Sequence, residues 1–328
     1  MPGTAANEVV KSVGTGRDYA TIALWEDATT GDCTSGWGAG DYAAACSPVG
    51  DCYDDDDFTE SPVIAGATTD NTHYRRLTVH AGERHAGKNG TGVKVIGSIT
   101  WTDAFGICEW LIGEHNAGTH CFIVTALAAD PADVLIQNIV LQCSTSTLKG
   151  FSLEPGASDT VVLTIRNCAV GTRDQYGDAF SGGNNHDVVC QNCSAYVLED
   201  EKAFMYVDCT NCIGIVPGPG DAYYVCTGDY NIGSDKTAPG EHSIDDESSD
   251  IFVSVADGSE DLHLASGATA ADDAGDDLSG TFTIDIDGDT RVDWDIGADE
   301  YVAPAGGGHP AIRRFGGVPY AALNRGVW

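Results

Sequence analysis

The segments "LIQNIV" (135–140), "TIRNCA" (164–169), "VCQNCS" (189–194) and "DCTNCI" (208–213) can be laid over one another. Their shared slot is an asparagine: Asn138, Asn167, Asn192 and Asn211, spaced by 29, 25 and 19 residues. Two positions before it stand Ile136, Ile165, Cys190 and Cys209, and one position after it Ile139, Cys168, Cys193 and Cys212. On a plain strand, residues three apart point to opposite faces. Here both flanking slots hold small or branched apolar residues, so both must face inward. One left-handed residue between them turns the chain and restores that direction, and asparagine tolerates this conformation better than most side chains. Stacked asparagines can then hydrogen-bond from rung to rung as a ladder. Downstream of each comes a second echo: "GFSLEPG" (150–156), "DAFSGGN" (178–184), "KAFMYVD" (202–208) and "AYYVCTG" (222–228). Irregular repeats of this length, built from short β-prone pieces, indicate a solenoid.

The rest of the composition agrees. The chain has 328 residues, enough for a large core. It carries 41 glycines but only 8% aromatic residues, a turn-rich and all-β balance. The formal net charge of −34 argues against nucleic-acid binding through the body, because phosphate contacts need cations. No run of 18 or more apolar residues suggests a membrane span, and "MPGTAANEVVKSVGTGRDYA" lacks the apolar core of a secretory signal.

The repeat resembles the right-handed parallel β-helix of the pectin-lyase-like superfamily, with its asparagine ladder at a tight turn. This resemblance covers residues 76–235 and implies successive rungs about 4.8 Å apart. Residues 1–75 are then an N-terminal cap and loop region. Within it, "GTGRDYATIALWEDATTG" offers Asp18 or Thr21 as a helix N-cap, followed by Ile22 and Trp25 at helical spacing. Such a helix would cover the open edge of the first rung. "YDDDDF" (53–58) reads as a solvated loop, with a cation site as the other reading. Residues 236–301 are expected to form acidic C-terminal rungs or a cap, and residues 302–328 an extended basic, aromatic docking tail.

Cys190-x-x-Cys193 and Cys209-x-x-Cys212 have the spacing of a zinc ribbon. Against zinc, the equivalent slots one and two repeats earlier hold Ile136, Ile139 and Ile165. The simpler reading is small buried hydrophobes stacked along the axis as free thiols. Disulfides between neighbouring rungs are the third reading, and a disulfide among Cys33, Cys46 and Cys52 has no pattern behind it.

"DIDGDTRVDWDIGADEY" (285–301) is the densest polar motif. Asp285, Asp287 and Asp289 alternate around Gly288 like the first half of a calcium loop, making calcium the candidate cofactor. The glutamate that would close an EF-hand is replaced by Ile296. The string resembles a C-terminal segment of bacterial and viral β-helix proteins. That likeness implies structural capping of the last rung, with Arg291 paired to Asp293 or Asp295.

Many β-helix proteins cleave polysaccharides. The best local candidates for catalysis lie in "GTRDQYGDAFSGGNNHD" (171–187): Arg173, Asp174, Asp178 and His186, with Asp187 beside them. The same residue types are what a long connecting loop requires in any case. No carboxylate pair recurs on successive rungs, so a non-enzymatic role is favoured over a polysaccharide lyase or glycoside hydrolase.

All 50 carboxylates precede Val302, while "VAPAGGGHPAIRRFGGVPYAALNRGVW" (302–328) carries three arginines and no acid. A glycine-rich hinge supplies reach. Arg313, Arg314 and Arg325 can pair with carboxylates on a partner, and Phe315, Tyr320 and Trp328 can fill its pockets. Together these features resemble virion-associated β-helix proteins of tailed phages. The resemblance implies a structural role in capsid decoration, a head fibre or a tail component. It also implies assembly in a host cytoplasm and a place in the virion, with other virion proteins or copies of the same chain as partners. A homo-oligomer, trimeric in many phage β-helix proteins, is expected, with neither nucleic acid nor membrane bound. The alternatives are an extracellular glycan-binding or polysaccharide-cleaving β-helix protein and a self-assembling bacterial surface or filament protein.

Overall fold

A computed structural model describes residues 2–38, 40–115, 120–125, 132–143, 149–154, 161–172, 177–183, 187–198 and 200–302. The chain forms an all-β parallel solenoid of three long sheets. The longest has nine strands and runs without interruption from Glu8–Val13 to Thr227–Asp229, each strand paired in parallel with the next coil. A second sheet of seven strands runs from Lys94–Ile96 to Ile232–Gly233, and a third of seven from Val63–Ile64 to Tyr223–Tyr224. From Arg75–Val79 to Asp208–Thr210, each coil visits the long sheet, turns into the second, crosses to the third and returns. The solenoid therefore begins well before residue 76, because Glu8–Val13 and Ser47–Cys52 are already strands of the long sheet.

The turn from the long sheet into the second is made by a single left-handed residue. Asn138, Asn167, Asn192 and Asn211 have φ of 52°, 47°, 49° and 56°. The register extends this row at both ends to Trp110 (φ 68°) and Tyr230 (φ 56°), which the asparagine pattern alone did not reveal.

Inside, equivalent positions stack into columns. Leu77, Cys108, Ile136, Ile165, Cys190 and Cys209 are successive Cα partners in the long sheet. Leu111, Ile139, Cys168, Cys193 and Cys212 repeat just past the turn, and all are buried. The column ends at Asn231, whose Oδ1 accepts the Cys212 N–H (3.0 Å) and whose Nδ2 donates to the Cys209 carbonyl (2.9 Å). A polar cap thus closes an apolar stack. All twelve cysteines are free thiols. Burial pushes the Cys190, Cys209 and Cys212 thiols well above their ordinary range. Behind the third sheet, Phe122, Phe151, Phe180, Phe204 and Tyr223 stack with ring centroids 5.7, 5.3, 4.8 and 5.0 Å apart.

The helix Ile22–Thr29 is capped by Thr21, whose side chain accepts the Leu24 N–H. Asp18 instead binds the Ser12 amide and hydroxyl. Ile22 and Trp25 are buried, and the Trp25 ring packs so closely on Gly50 that a Cβ there would come within 2.9 Å of it. Arg75, fully buried, ties the helix to the core. Its Nε donates to Asp103 (2.6 Å) and its Nη1 to Glu26 (3.1 Å).

Residues 236–301 add no further coils to the three sheets. The strands Phe252–Ser254 and Asp261–Leu264 pair antiparallel and pack on the outer face of the second sheet. Val140, Ala169, Tyr196, Ile213 and Ile215 from that sheet meet Ile251, Phe252, Leu262, Leu264, Ile286 and Ile296. A sheet covered on both faces is apolar at successive positions rather than alternating, as in Ile213–Ile215.

Candidate functional site

The asparagine turns do more than bend the chain. Among their side chains, the described rung-to-rung bond is Asn211 Nδ2 to Asn192 Oδ1, at 3.1 Å. Otherwise these amides face a strap formed by residues 276–301, which runs back along the turn row. Asn211 Nδ2 donates to the Asp276 carbonyl (2.9 Å), and Asn192 Nδ2 to those of Asp295 (2.9 Å) and Gly297 (3.0 Å). Asn167 Nδ2 donates to Ile284 (2.7 Å), and Asn138 Nδ2 to Asp285 (2.5 Å). At the far end, Gly288 lies under the Trp110 ring, 3.0 Å from where its Cβ would be. The strap thus spans the coils from Trp110 to Asn211 rather than closing the last rung alone.

The motif "DIDGDTRVDWDIGADEY" is the lock of this strap. Asp285 Oδ1 accepts the backbone N–H groups of Asp287 (3.0 Å) and Asp289 (2.9 Å), closing a tight turn. Arg291, buried, donates through Nη2 to the carbonyls of Ala298 (2.7 Å) and Gly297 (3.1 Å) and to Asn167 Oδ1 (3.2 Å). Its Nη1 reaches the Asp299 carbonyl (3.2 Å) and Glu300 (3.4 Å). The ionic partner of Arg291 is therefore Glu300, not Asp293 or Asp295. Glu300 also accepts the N–H groups of Val292 and Asp293, and Asp295 accepts those of Asp273 (2.7 Å) and Tyr301 (2.6 Å). At Gly297 (φ +110°) a Cβ would come within 2.7 Å of Ile213, so glycine alone lets the strap approach the sheet.

Asp285, Asp287 and Asp289 do not converge as a calcium loop. Asp285 is spent on backbone amides, and Asp289 is exposed. Asp287 faces His263 instead, with Nε2 3.0 Å from its Oδ1. Nδ1 of the same ring contacts Asp261, which also pairs with Lys88 at 2.9 Å. The facing Asp287 and Asp261 carboxylates push the pKa of His263 up to about 9 despite partial burial. Among the described residues, ligand atoms of His263, Asp287 and Asp299 lie within 4.8 Å of one another, and so do those of Asp272, Asp273 and Asp295. The cysteine pairs form no such group. His263 and Asp299 were missed from sequence because residues 24 or 36 apart in the chain carry no shared motif.

Of the residues weighed for catalysis, Asp178 is buried. Its Oδ1 accepts the Lys202 N–H (3.2 Å), and its other oxygen lies 3.7 Å from Lys149 Nζ. Burial and the adjacent Asp178 together raise the pKa of Glu201. Arg173, Asp174 and His186 lie outside the described residues, as do Arg313, Arg314, Phe315, Tyr320, Arg325 and Trp328 of the tail. No described helix is long and apolar enough to cross a membrane.

Burial, with Glu300 and Asp272 adding like charge, pushes Asp295 up to about 8 against its two backbone donors. Its folded-state value lies above the unfolded one, so the folded chain holds this proton more tightly. Stability must then fall as pH rises from about 4 towards about 8, and level off above that. Melting temperatures between pH 5 and pH 8 should decline in wild type and decline less in Asp295→Asn. Equal slopes would show that this carboxyl does not govern the dependence.

No protein-family model, no curated protein and no solved structure matches this chain.

Proposed function

We propose that the chain is a non-enzymatic structural protein of a phage-type particle, serving as capsid decoration, head fibre or tail-associated component. In this reading the body is a right-handed parallel β-helix of the pectin-lyase-like kind, capped at its first coils by the helix Ile22–Thr29. Right-handed crossovers are the rule for parallel strands. It resides in the virion and docks through residues 302–328 to other virion proteins or to copies of itself.

The observation that carries this reading is the strap. Asp295 holds the Tyr301 N–H at 2.6 Å, so the anchored part of the chain reaches Tyr301, next to the exposed Val302. The basic tail begins there. A pull on that tail would be shared by the coils from Trp110 to Asn211 instead of peeling away a terminal strand. The acidic body, near −37 before Val302, is complementary to a tail with three arginines.

Light scattering at low and high salt compares the full-length chain with one ending at Tyr301. Salt-sensitive multimers of the full-length chain alone support docking through the tail. Identical monomers under all conditions, with no capture of the full-length chain by particle proteins, overturn it. The second reading, a glycan-binding or polysaccharide-cleaving protein, is favoured by the raised pKa of Glu201, the property a general acid needs. In that case polysaccharide turnover should vanish in Glu201→Gln.

A further inference from the structure

We propose that His263, Asp287 and Asp299 bind a divalent transition-metal ion of the zinc class, fastening the hairpin Asp261–Leu264 to the strap. The three ligand atoms lie within 4.8 Å of one another and come from three separate places. His263 sits on a strand of the hairpin, Asp287 on the turn closed by Asp285, and Asp299 just before the Glu300 anchor. Zinc ions favour a mixed nitrogen and oxygen set of this size, whereas calcium takes six to eight oxygens.

The surroundings are built for a ligand. Asp261 engages His263 Nδ1, which orients the ring and presents Nε2 towards Asp287 and Asp299. A carboxylate behind a histidine is the usual second sphere of a metal site. Asp299 is itself fixed, one oxygen accepting the Leu264 N–H at 2.8 Å. Independently of these bonds, Gly87 crosses over the pair in a left-handed conformation (φ +62°). A Cβ there would stand 2.3 Å from both Asp287 Oδ1 and His263 Nε2. Any side chain at this position would press on both donor atoms, so glycine is what lets His263 and Asp287 keep their pairing here. An ion on Nε2 needs the nitrogen lone pair, so a proton held there leaves to solvent as the metal binds.

The experiment uses the full-length protein after chelator treatment, titrated with zinc chloride and separately with calcium chloride by calorimetry. Two buffers of different ionisation enthalpy count the protons released. We expect one zinc ion per chain, release of about one proton, and a rise in melting temperature that calcium does not match. His263→Gln should abolish binding. Asp287→Asn, which keeps an oxygen facing the histidine, should weaken it at least tenfold with the far-ultraviolet spectrum unchanged. Cobalt as a probe should show no thiolate charge-transfer band, which separates this site from the buried cysteines. The proposal is overturned if wild type binds no stoichiometric zinc, if the variants bind as wild type does, or if cobalt reports sulfur ligation.

Discussion

Arg291→Ala should lower stability by about 3–5 kcal/mol, the range for removing one partner from a buried charge network. The guanidinium serves the carbonyls of Gly297, Ala298 and Asp299, the Glu300 carboxylate and Asn167 Oδ1 at once. Truncation leaves Glu300 buried without its cation and takes a donor from the carbonyls of Gly297, Ala298 and Asp299, of which the first two keep Asn192 Nδ2 and the Ile286 N–H. Arg291→Lys should recover little, because an ammonium has no planar fork to span these acceptors. Denaturant midpoints give the loss, and amide exchange shows its location. Protection should fall first in residues 276–301 and at the asparagine turns, while the first coils of the solenoid keep theirs. An unchanged midpoint together with unchanged exchange in the strap would refute the assignment of Arg291 as its lock.

Phe180→Ala should cost a similar amount, about 3–5 kcal/mol, by a different route. The Phe180 ring is fully buried, 5.3 Å from Phe151 and 4.8 Å from Phe204. Its removal deletes the contact with both neighbours and leaves a cavity in a column one residue wide. Stability in a solenoid is carried by nearest-neighbour interfaces. The loss should therefore divide the unfolding transition, with the coils after Phe180 melting before those preceding it. Phe180→Leu, which refills much of the volume, should lose clearly less. An alanine variant within about 1 kcal/mol of wild type would mean that the stack is loosely packed.

What the sequence determined by itself is the coil. The slots around Asn138, Asn167, Asn192 and Asn211 are local facts: an inward residue, a left-handed turn and another inward residue, repeated. Isoleucine and cysteine exchange freely there because both are small and apolar, which is why the zinc-ribbon spacing of Cys190 to Cys212 was a coincidence of stacking. The helix start was legible as Asp18 or Thr21, and the structure uses Thr21 as the cap.

What only the tertiary structure decided is how the acidic segment 236–301 is used. Composition marked residues 236–301 as polar and terminal, and "DIDGD" suggested a calcium loop. In the folded chain Asp285 caps a turn, Arg291 meets Glu300, and Asp287 faces His263 beside Gly87. The Asp285 turn is local, but neither the Arg291–Glu300 nor the Asp287–His263 pair has a spacing that local geometry prescribes. They form because the second sheet is apolar on its outer face and the turn asparagines present amide groups in a line. A segment with apolar residues at Ile286 and Ile296, and carbonyls in matching positions, can cover both at once. Burial then fixes which charges may neighbour which, because an unpaired charge in that interface would not be tolerated. Periodicity encodes the repeat, whereas the strap is chosen by the surface that the repeat creates.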